Sequence, residues 1–460
     1  MSHMWLSRTW RVAGVLVACA LTSSTSLAQF VPPATVRGGG AIATPARPAS
    51  EENTESYTVA GIPVIHRRAA NDVVSANLYL LGGTRQVTAA NAGIEPFLLE
   101  LSDRGTKRYP KDSLRRTMAR LGTAIVVDAE HDWTMFGLRG TVSTFEPTWR
   151  VLADRLTDPT LDPAEVELMR TQFLSALVQR QDSPEALLEH LADSVAFGGH
   201  PYGIDPVGSA ASLRAITLDD LRRYQKEQMV RSRMLLVVVG NVPRASVERL
   251  VTETLGALPE GDYQWVPPAP LPADGSSYAV IPMAVPTNYI LGYFAGPPAA
   301  SEDYPALRIA TAVLSGRMFH EIRVKRNLTY AVSSPFVERA VAAGGLYVTT
   351  VAPDTTLALM RASVTELQTG TISRYGLEQL VQQFITEYFL DNETNSDQAD
   401  FLAQAQLYRG DWRLADGFVE ELRGVTPDDV RRVANRYMRN VRFAYVGDPQ
   451  RAPVRWFGRF

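Results

Sequence analysis

The sequence predicts an α+β protein built from two homologous domains, each a mostly antiparallel sheet with helices packed on one face. Three observations lead there. First, a block near residue 216 recurs near residue 425: Ile216-Thr217-Leu218-Asp219-Asp220-Leu221-Arg222-Arg223 matches Val425-Thr426-Pro427-Asp428-Asp429-Val430-Arg431-Arg432. Second, the apolar run after each block ends in glycine, at Gly240-Asn241-Val242-Pro243-Arg244-Ala245 and at Gly447-Asp448-Pro449-Gln450-Arg451-Ala452. The offsets are 209 (216 to 425) and 207 (240 to 447), too long for a solenoid repeat and right for a duplicated domain. Third, strand-like runs come at hairpin spacing and helical patterns come in series, which favours antiparallel sheets backed by helices.

Composition sets the bounds. The chain has 460 residues, 45% hydrophobic and 21% charged, with a net charge of −3; this is ordinary globular composition, long enough for two cores. The balanced charge gives no footing for nucleic acid as a partner. Cys19 is the single cysteine, so neither an intrachain disulfide nor a thiolate metal cluster forms. Any imidazole ligand must come from His3, His66, His131, His190, His200 or His320.

Residues 1–28 read as an export signal. Arg8 and Arg11 precede the apolar run Val12 to Leu21, and Ser26-Leu27-Ala28 places small residues before Gln29. Cleavage after Ala28 is the favoured reading. Leu16-Val17-Ala18-Cys19 also resembles a lipoprotein signal, in which Cys19 is acylated and the chain is held at a membrane. Either route puts the mature chain outside the cytoplasm, in a periplasm. Residues 29–56, rich in Pro, Gly and Ala, read as a flexible tether.

Order is expected from Tyr57. Ile62 to Ile65 and Val73 to Leu80 read as strands, the second closed by Gly82-Gly83. Asn91 to Asp103 and Lys111 to Leu121 read as helices, and Ala124 to Asp128 and Thr134 to Val142 as strands. From Thr144 to Gln181 the pattern is helical, with Val166, Met169, Phe173 and Leu177 making one buried stripe. Ser183 caps the next helix with Pro184 at its first position, and Thr217-Leu218-Asp219-Asp220 opens another. Met234 to Val239 is a continuous apolar run, a strand buried on both faces. Residues 266–277 (Pro267-Pro268-Ala269-Pro270-Leu271-Pro272, then Asp274-Gly275-Ser276-Ser277) form the linker between domains 57–265 and 278–460. After it come strands at Tyr278 to Pro282 and Tyr289 to Phe294, a helix from Asp303 to Arg323, strands at Tyr330 to Val337 and Gly345 to Val351, and a closing strand at Val441 to Val446.

On these residues the chain resembles the pitrilysin (insulinase-like) zinc peptidases. Gly93 to Thr106 (GIEPFLLELSDRGT) lines up without a gap on that family's G-x-A-H-F-L-E-H-x-x-F-x-G-T, with Phe97, Leu98, Gly105 and Thr106 in register. Asp182-Ser183-Pro184, His200-Pro201-Tyr202-Gly203, Gly208 and Gly240-Asn241 match as well. The resemblance implies that the two domains form half of a clamp. It also implies where zinc chemistry belongs, and there the residues are wrong. In H-x-x-E-H the two histidines bind Zn²⁺ and the glutamate activates a water. Those positions hold Pro96, Leu99 and Glu100, and the family's third ligand falls near Ser175-Ala176, neither a carboxylate. No metal is expected in this chain, and alone it is expected to be inert. His320-Glu321-Ile322-Arg323-Val324 begins like H-E-x-x-H but ends in valine. Glu95, at a helix start, is read as a partner of the helix dipole.

Arg323 and Tyr330 are the chemistry that remains. An arginine fork and a phenol at a helix exit are suited to gripping a carbonyl or a developing oxyanion. In the second half of the family an Arg and a Tyr at this spacing contact substrate beside the zinc, and in some two-chain relatives the partner chain supplies them. By resemblance, this chain is then the non-catalytic subunit of a heterodimer acting on unfolded peptides, with the zinc in a homologous partner chain. The competing expectation is a peptidase-like scaffold or peptide-binding protein with no part in chemistry.

Overall fold

The computed structural model describes residues 53–460. The export signal, Cys19 and nearly all of the tether lie outside those residues. Among the described residues no helix is long and apolar enough to cross a membrane.

The first half supplies β1 (Thr54–Val59), β2 (Ile62–Arg67), β3 (Val73–Leu81), β4 (Ala124–Ala129), β5 (Trp133–Thr141) and β6 (Met234–Val239). They form one sheet in the order β1-β2-β6-β3-β5-β4. The second half supplies β7 (Tyr278–Pro282), β8 (Asn288–Pro298), β9 (Thr329–Ser333), β10 (Phe336–Val337), β11 (Val341–Thr350) and β12 (Arg442–Gly447). Their order is β10-β11-β8-β12-β7, with β9 also paired to β11. The path β2-β6-β3-β5 in one sheet repeats as β7-β12-β8-β11 in the other. Each sheet has a single parallel pair, β2 with β6 and β7 with β12, among antiparallel neighbours. The duplication seen in sequence is therefore a duplication of topology. Order begins three residues before Tyr57, because Thr54 pairs with Arg67 across the first hairpin.

The helices are α1 (Ile94–Leu101), α2 (Lys111–Leu121), α3 (Val142–Thr157), α4 (Pro163–Asp182), α5 (Pro184–Ala196), α6 (Ala210–Ala215), α7 (Leu218–Gln228) and α8 (Arg244–Leu255). The second half adds α9 (Asp303–Met318), α10 (Pro353–Thr369), α11 (Arg374–Asp391), α12 (Asn395–Arg409), α13 (Leu414–Arg423), α14 (Pro427–Tyr437) and α15 (Val454–Phe457). Local chemistry sets their starts. The Ser183 hydroxyl accepts from the Ala186 amide with Pro184 behind it. Thr217 with Asp220, and Thr426 with Asp429, form matching capping boxes.

Each sheet has two covered faces, and the two covers come from different halves. One face of the first sheet (Val74, Ala76, Leu78, Phe136, Leu236) packs on helices of its own half through Phe97, Trp149, Leu152 and Leu250. Its other face (Ile65, Tyr79, Met135, Leu235, Val237) packs on Ala399, Leu402 and Ala403 of α12. The second sheet repeats the plan. Ile290, Leu346 and Phe443 face their own helices, while Leu291, Tyr293, Ala444 and Val446 face Leu188, Ala192 and Ala196 of α5. Helices on one face describe each half alone; the far face is closed by a helix exchanged across the linker. Burying a leucine such as Leu188 or Leu402 is worth about 2 kcal/mol.

Polar groups fix the register of this exchange. Arg67 donates twice to Asp416, at 3.0 and 2.7 Å. Tyr79 and Asn77 donate to Asp400 at 2.5 and 3.0 Å. On the other side Asp132 accepts from the Tyr202 hydroxyl at 2.8 Å and from the Ala340 amide at 3.1 Å, and Arg339 reaches Asp193 at 3.0 Å.

One group in this interface is under-compensated. Glu185, Glu189 and Asp193 stand one turn apart on α5. Burial, then Asp193 and Glu185, push the Glu189 carboxyl up to about 7. An acid that holds its proton more firmly folded than unfolded lowers stability as pH rises from its ordinary 4.5 to about 7, with no further loss above that. Glu189→Gln is expected to stabilise the protein by ~1 kcal/mol at alkaline pH, after allowance for solvent screening. Below pH 4.5 it is expected to leave stability unchanged. Thermal denaturation of both proteins across pH checks this.

Candidate functional site

The first-half site forms where two loops press together. Gly93, with φ +87°, precedes α1, and an added Cβ would lie 2.5 Å from the Val207 carbonyl oxygen. Gly208, with φ +84°, faces it, and its Cβ would lie 2.3 Å from the Ala92 carbonyl oxygen. Only glycine permits both the backbone conformation and the approach. This contact seats α1 against α4, where the rings of Phe97 and Phe173 lie 5.3 Å apart.

On α1, Pro96 and Leu99 are buried and Glu100 is half-buried. Burial raises the Glu100 carboxyl above its usual range, with the Arg155 charge opposing. Ser175 and Ala176 lie exposed on α4. These residues do not fit a zinc ion: Glu100 offers one carboxylate, proline and leucine carry no ligand atom, and the helix across from them offers a hydroxyl and a methyl. Among the described residues no group of three His, Cys, Asp or Glu side chains is placed to hold a metal.

A protein cation occupies the C-terminal end of α1 instead. Arg155 is 3% exposed. It donates to the Ser102 hydroxyl at 3.0 Å and to the Leu99 carbonyl at 3.1 Å, and it lies 3.2 Å from Asp103. A guanidinium at a helix C-terminus satisfies carbonyls that the helix leaves open. The sequence carried a signal for it, since Arg155 falls three residues after Leu152 on an otherwise buried apolar stripe.

Glu95 does lie in the first turn of α1, and it has further partners besides the helix dipole. It is 4% exposed, 3.0 Å from Arg233 and 2.9 Å from the Tyr224 hydroxyl. Arg233 also donates to the Leu81 carbonyl at 2.9 Å, so the group ties α1 to α7 and to the end of β3. The tertiary partner lies 138 positions away (95 to 233), which no local reading of the helix start reveals.

In the second half α9 ends at Met318, and Phe319–Val324 continues as a turn of π-helix. The sequence predicts a regular helix to Arg323; the wider turn arises because the Lys325 amide reaches back five residues to the His320 carbonyl, at 2.9 Å. Asn327 then takes a left-handed conformation, φ +50°, and the Leu328 amide bonds the Ile322 carbonyl at 3.0 Å. Ile322, fully buried, anchors the segment. The result brings Arg323 over Tyr330, with the guanidinium carbon 4.8 Å from that ring centre and 5.6 Å from the Phe319 ring centre. Phe319, four residues before Arg323, is a site residue the sequence reading missed; i to i+4 spacing is its signal. Tyr330 is 66% exposed. Glu321 is held by Lys325 at 2.5 Å and Arg326 at 2.8 Å, and those cations draw its carboxyl down to about 2. Among the described residues Arg323 makes no ion pair.

Residues 64–207 match the family described as Insulinase (Peptidase family M16), and residues 215–384 match the Peptidase M16 inactive domain. The chain belongs to the M16 peptidase family. Mitochondrial-processing peptidase subunit beta of Blastocladiella emersonii is 24% identical over 400 residues, 82% of this chain and 85% of that protein. Cytochrome b-c1 complex subunit 1 of Caenorhabditis elegans is 22% identical, over 84% of this chain and 86% of that one. A solved peptidase M16 inactive domain from Pseudomonas fluorescens superposes with a TM-score of 0.78 at 20% identity, covering 86% of this chain and 98% of that one. This M16 chain thus keeps the two-half fold.

The buried Glu95–Arg233 pair carries a prediction. Removing one member strands the other charge, so Glu95→Gln is expected to cost about 3 kcal/mol, while Tyr224→Phe costs about 1 kcal/mol. Urea denaturation of both variants measures the difference.

Proposed function

We propose that this chain is the non-catalytic subunit of an exported heterodimeric zinc peptidase. A homologous partner chain holds the zinc, its ligands and the glutamate base. This chain closes the peptide chamber and presents Arg323 and Tyr330 to the scissile peptide. The observation that carries the reading is the contrast between the two halves. The first has Pro96, Leu99 and Glu100 in the metal positions and a buried Arg155 at the end of the same helix. The second keeps an arginine stacked on an exposed tyrosine and free of its neighbouring carboxylate.

The chemistry follows from these groups. The guanidinium is charged at every physiological pH and presents in-plane N–H donors, and the Tyr330 hydroxyl adds one more. Donors placed where negative charge develops act on the transition state more than on the ground state. Proton transfer and water activation lie outside this chain's residues and fall to the partner. Substrates are unfolded peptides, since an extended segment is what a cleft between sheet edges accepts. The export signal at residues 1–28 sets the compartment, a periplasm, with attachment to a membrane if Cys19 is acylated.

A second reading, a scaffold without chemistry, draws support from the likeness to a subunit of the cytochrome b-c1 complex and to an inactive M16 domain.

The test is reconstitution with a zinc-bearing homologue and a quenched fluorescent peptide. Arg323→Ala is expected to lower kcat by about 10²–10³, the range for losing one oxyanion donor, and Tyr330→Phe to lower it less. Wild-type rates in both variant complexes would favour the scaffold.

A further inference from the structure

We propose that Arg323 is a carboxylate-binding site, which takes a peptide's C-terminal carboxylate or an acidic side chain in the plane of its guanidinium. This deepens the reading of Arg323 and Tyr330 as substrate-contacting residues and rests on it. The geometry points to an anion in four ways.

The guanidinium lies against Tyr330 at 4.8 Å and near Phe319 at 5.6 Å. A ring contact of this kind gives the guanidinium no hydrogen-bond acceptor, so its fork of N–H groups remains to be filled. That fork matches the two oxygens of a carboxylate, whereas a neutral carbonyl offers one oxygen and no charge.

The carboxylate nearest to Arg323 in sequence is engaged elsewhere. Glu321 gives one oxygen to Lys325 and the other to Arg326, and Arg326 also donates to the Glu321 carbonyl at 2.7 Å. The segment's one carboxylate is thus committed to its two other cations, and Arg323 has no ion-pair partner among the described residues.

The segment carries an excess of positive charge. From Glu321 to Arg326 there is one carboxylate against Arg323, Lys325 and Arg326, and no acidic side chain among the described residues pairs with Arg323. The local field therefore attracts an anion and is screened by salt.

Finally, the surroundings suit a peptide rather than a free ion. Phe319, Val324, Tyr330 and Val351 are 42%, 59%, 66% and 59% exposed, and Val351 follows Thr350, which pairs with Thr329 beside Tyr330. An apolar rim around a cation accommodates the side chain that accompanies the carboxylate, at one edge of the second sheet.

The experiment is fluorescence anisotropy with the mature chain alone and three versions of one labelled peptide. One has a free C-terminal carboxylate, one is C-terminally amidated and neutral, and one is amidated with an internal glutamate. At least one acidic version is expected to bind about tenfold tighter than the neutral amide, the gain of one charge-assisted bidentate pair. Added salt is expected to erase most of that gain. Preference for the free terminus identifies a C-terminal recogniser, and preference for the internal glutamate an acidic-residue recogniser; both support the proposal. Arg323→Lys keeps the charge and loses the fork, and is expected to abolish most of the discrimination. Phe319→Leu is expected to weaken it, because the guanidinium loses one ring contact. Equal binding of all three peptides, no binding of any at millimolar concentration, or discrimination that survives Arg323→Lys would overturn the assignment. The outcome is separable from the catalytic reading: Arg323→Ala can silence a reconstituted pair although the chain alone treats acid and amide alike, and the reverse result separates them equally well.

Discussion

The structure depends on the reciprocal packing of α5 on the second sheet and α12 on the first. A sheet whose two faces are both apolar has no stable solvent-exposed side. The first sheet presents Ile65, Tyr79, Leu235 and Val237 on the face its own helices do not cover, and the second presents Leu291, Tyr293 and Val446. Each half closes the other's open face, so neither is complete alone. Side chains bonded across the boundary, such as Arg67 with Asp416 and Tyr79 with Asp400, then select one register among the many that apolar packing would tolerate. A block cross-braced in this way holds β9, and with it Tyr330, in fixed relation to the first half.

Two arginines show how burial decides the use of one chemical group. Arg155 is sealed in, with the Ser102 hydroxyl, the Leu99 carbonyl and Asp103 filling its fork. It stabilises the C-terminal end of α1. Arg323 lies over the Tyr330 ring, partly exposed, and among the described residues it has no carboxylate partner, while Lys325 and Arg326 hold Glu321. The first is spent on the fold, and the second is available to a ligand. Both follow from desolvation, which makes a buried charge demand partners and leaves an exposed one free to find them.

The repeat, the strands and the capped helices were legible because local forces set them. Of the stripe Val166, Met169, Phe173 and Leu177 all are buried but Phe173, which is half-buried; Met234–Val239 is buried throughout, and α2 runs from Lys111 to Leu121 as read. What could not be read is what distant residues decide. The exchange of α5 and α12 across the linker has no signature in periodicity, because a helix stripe does not say which sheet it meets. Glu95 reads as a dipole partner alone, and Arg233, far along the chain, also closes on it. The π-turn at Phe319–Val324 arises from a shift of one backbone hydrogen bond, and it puts Phe319 and Tyr330 around the Arg323 guanidinium.

The central claim is that this chain brings the arginine and tyrosine to a reaction whose metal belongs to another chain. Zinc analysis of the purified mature chain, and of its complex isolated from the cell envelope, tests it most directly. The account predicts no bound zinc in the chain alone and one zinc per pair in the complex, assigned to the homologous partner after the two are separated. Stoichiometric zinc in the isolated chain, or a native complex with no metal in any M16 subunit, would contradict it.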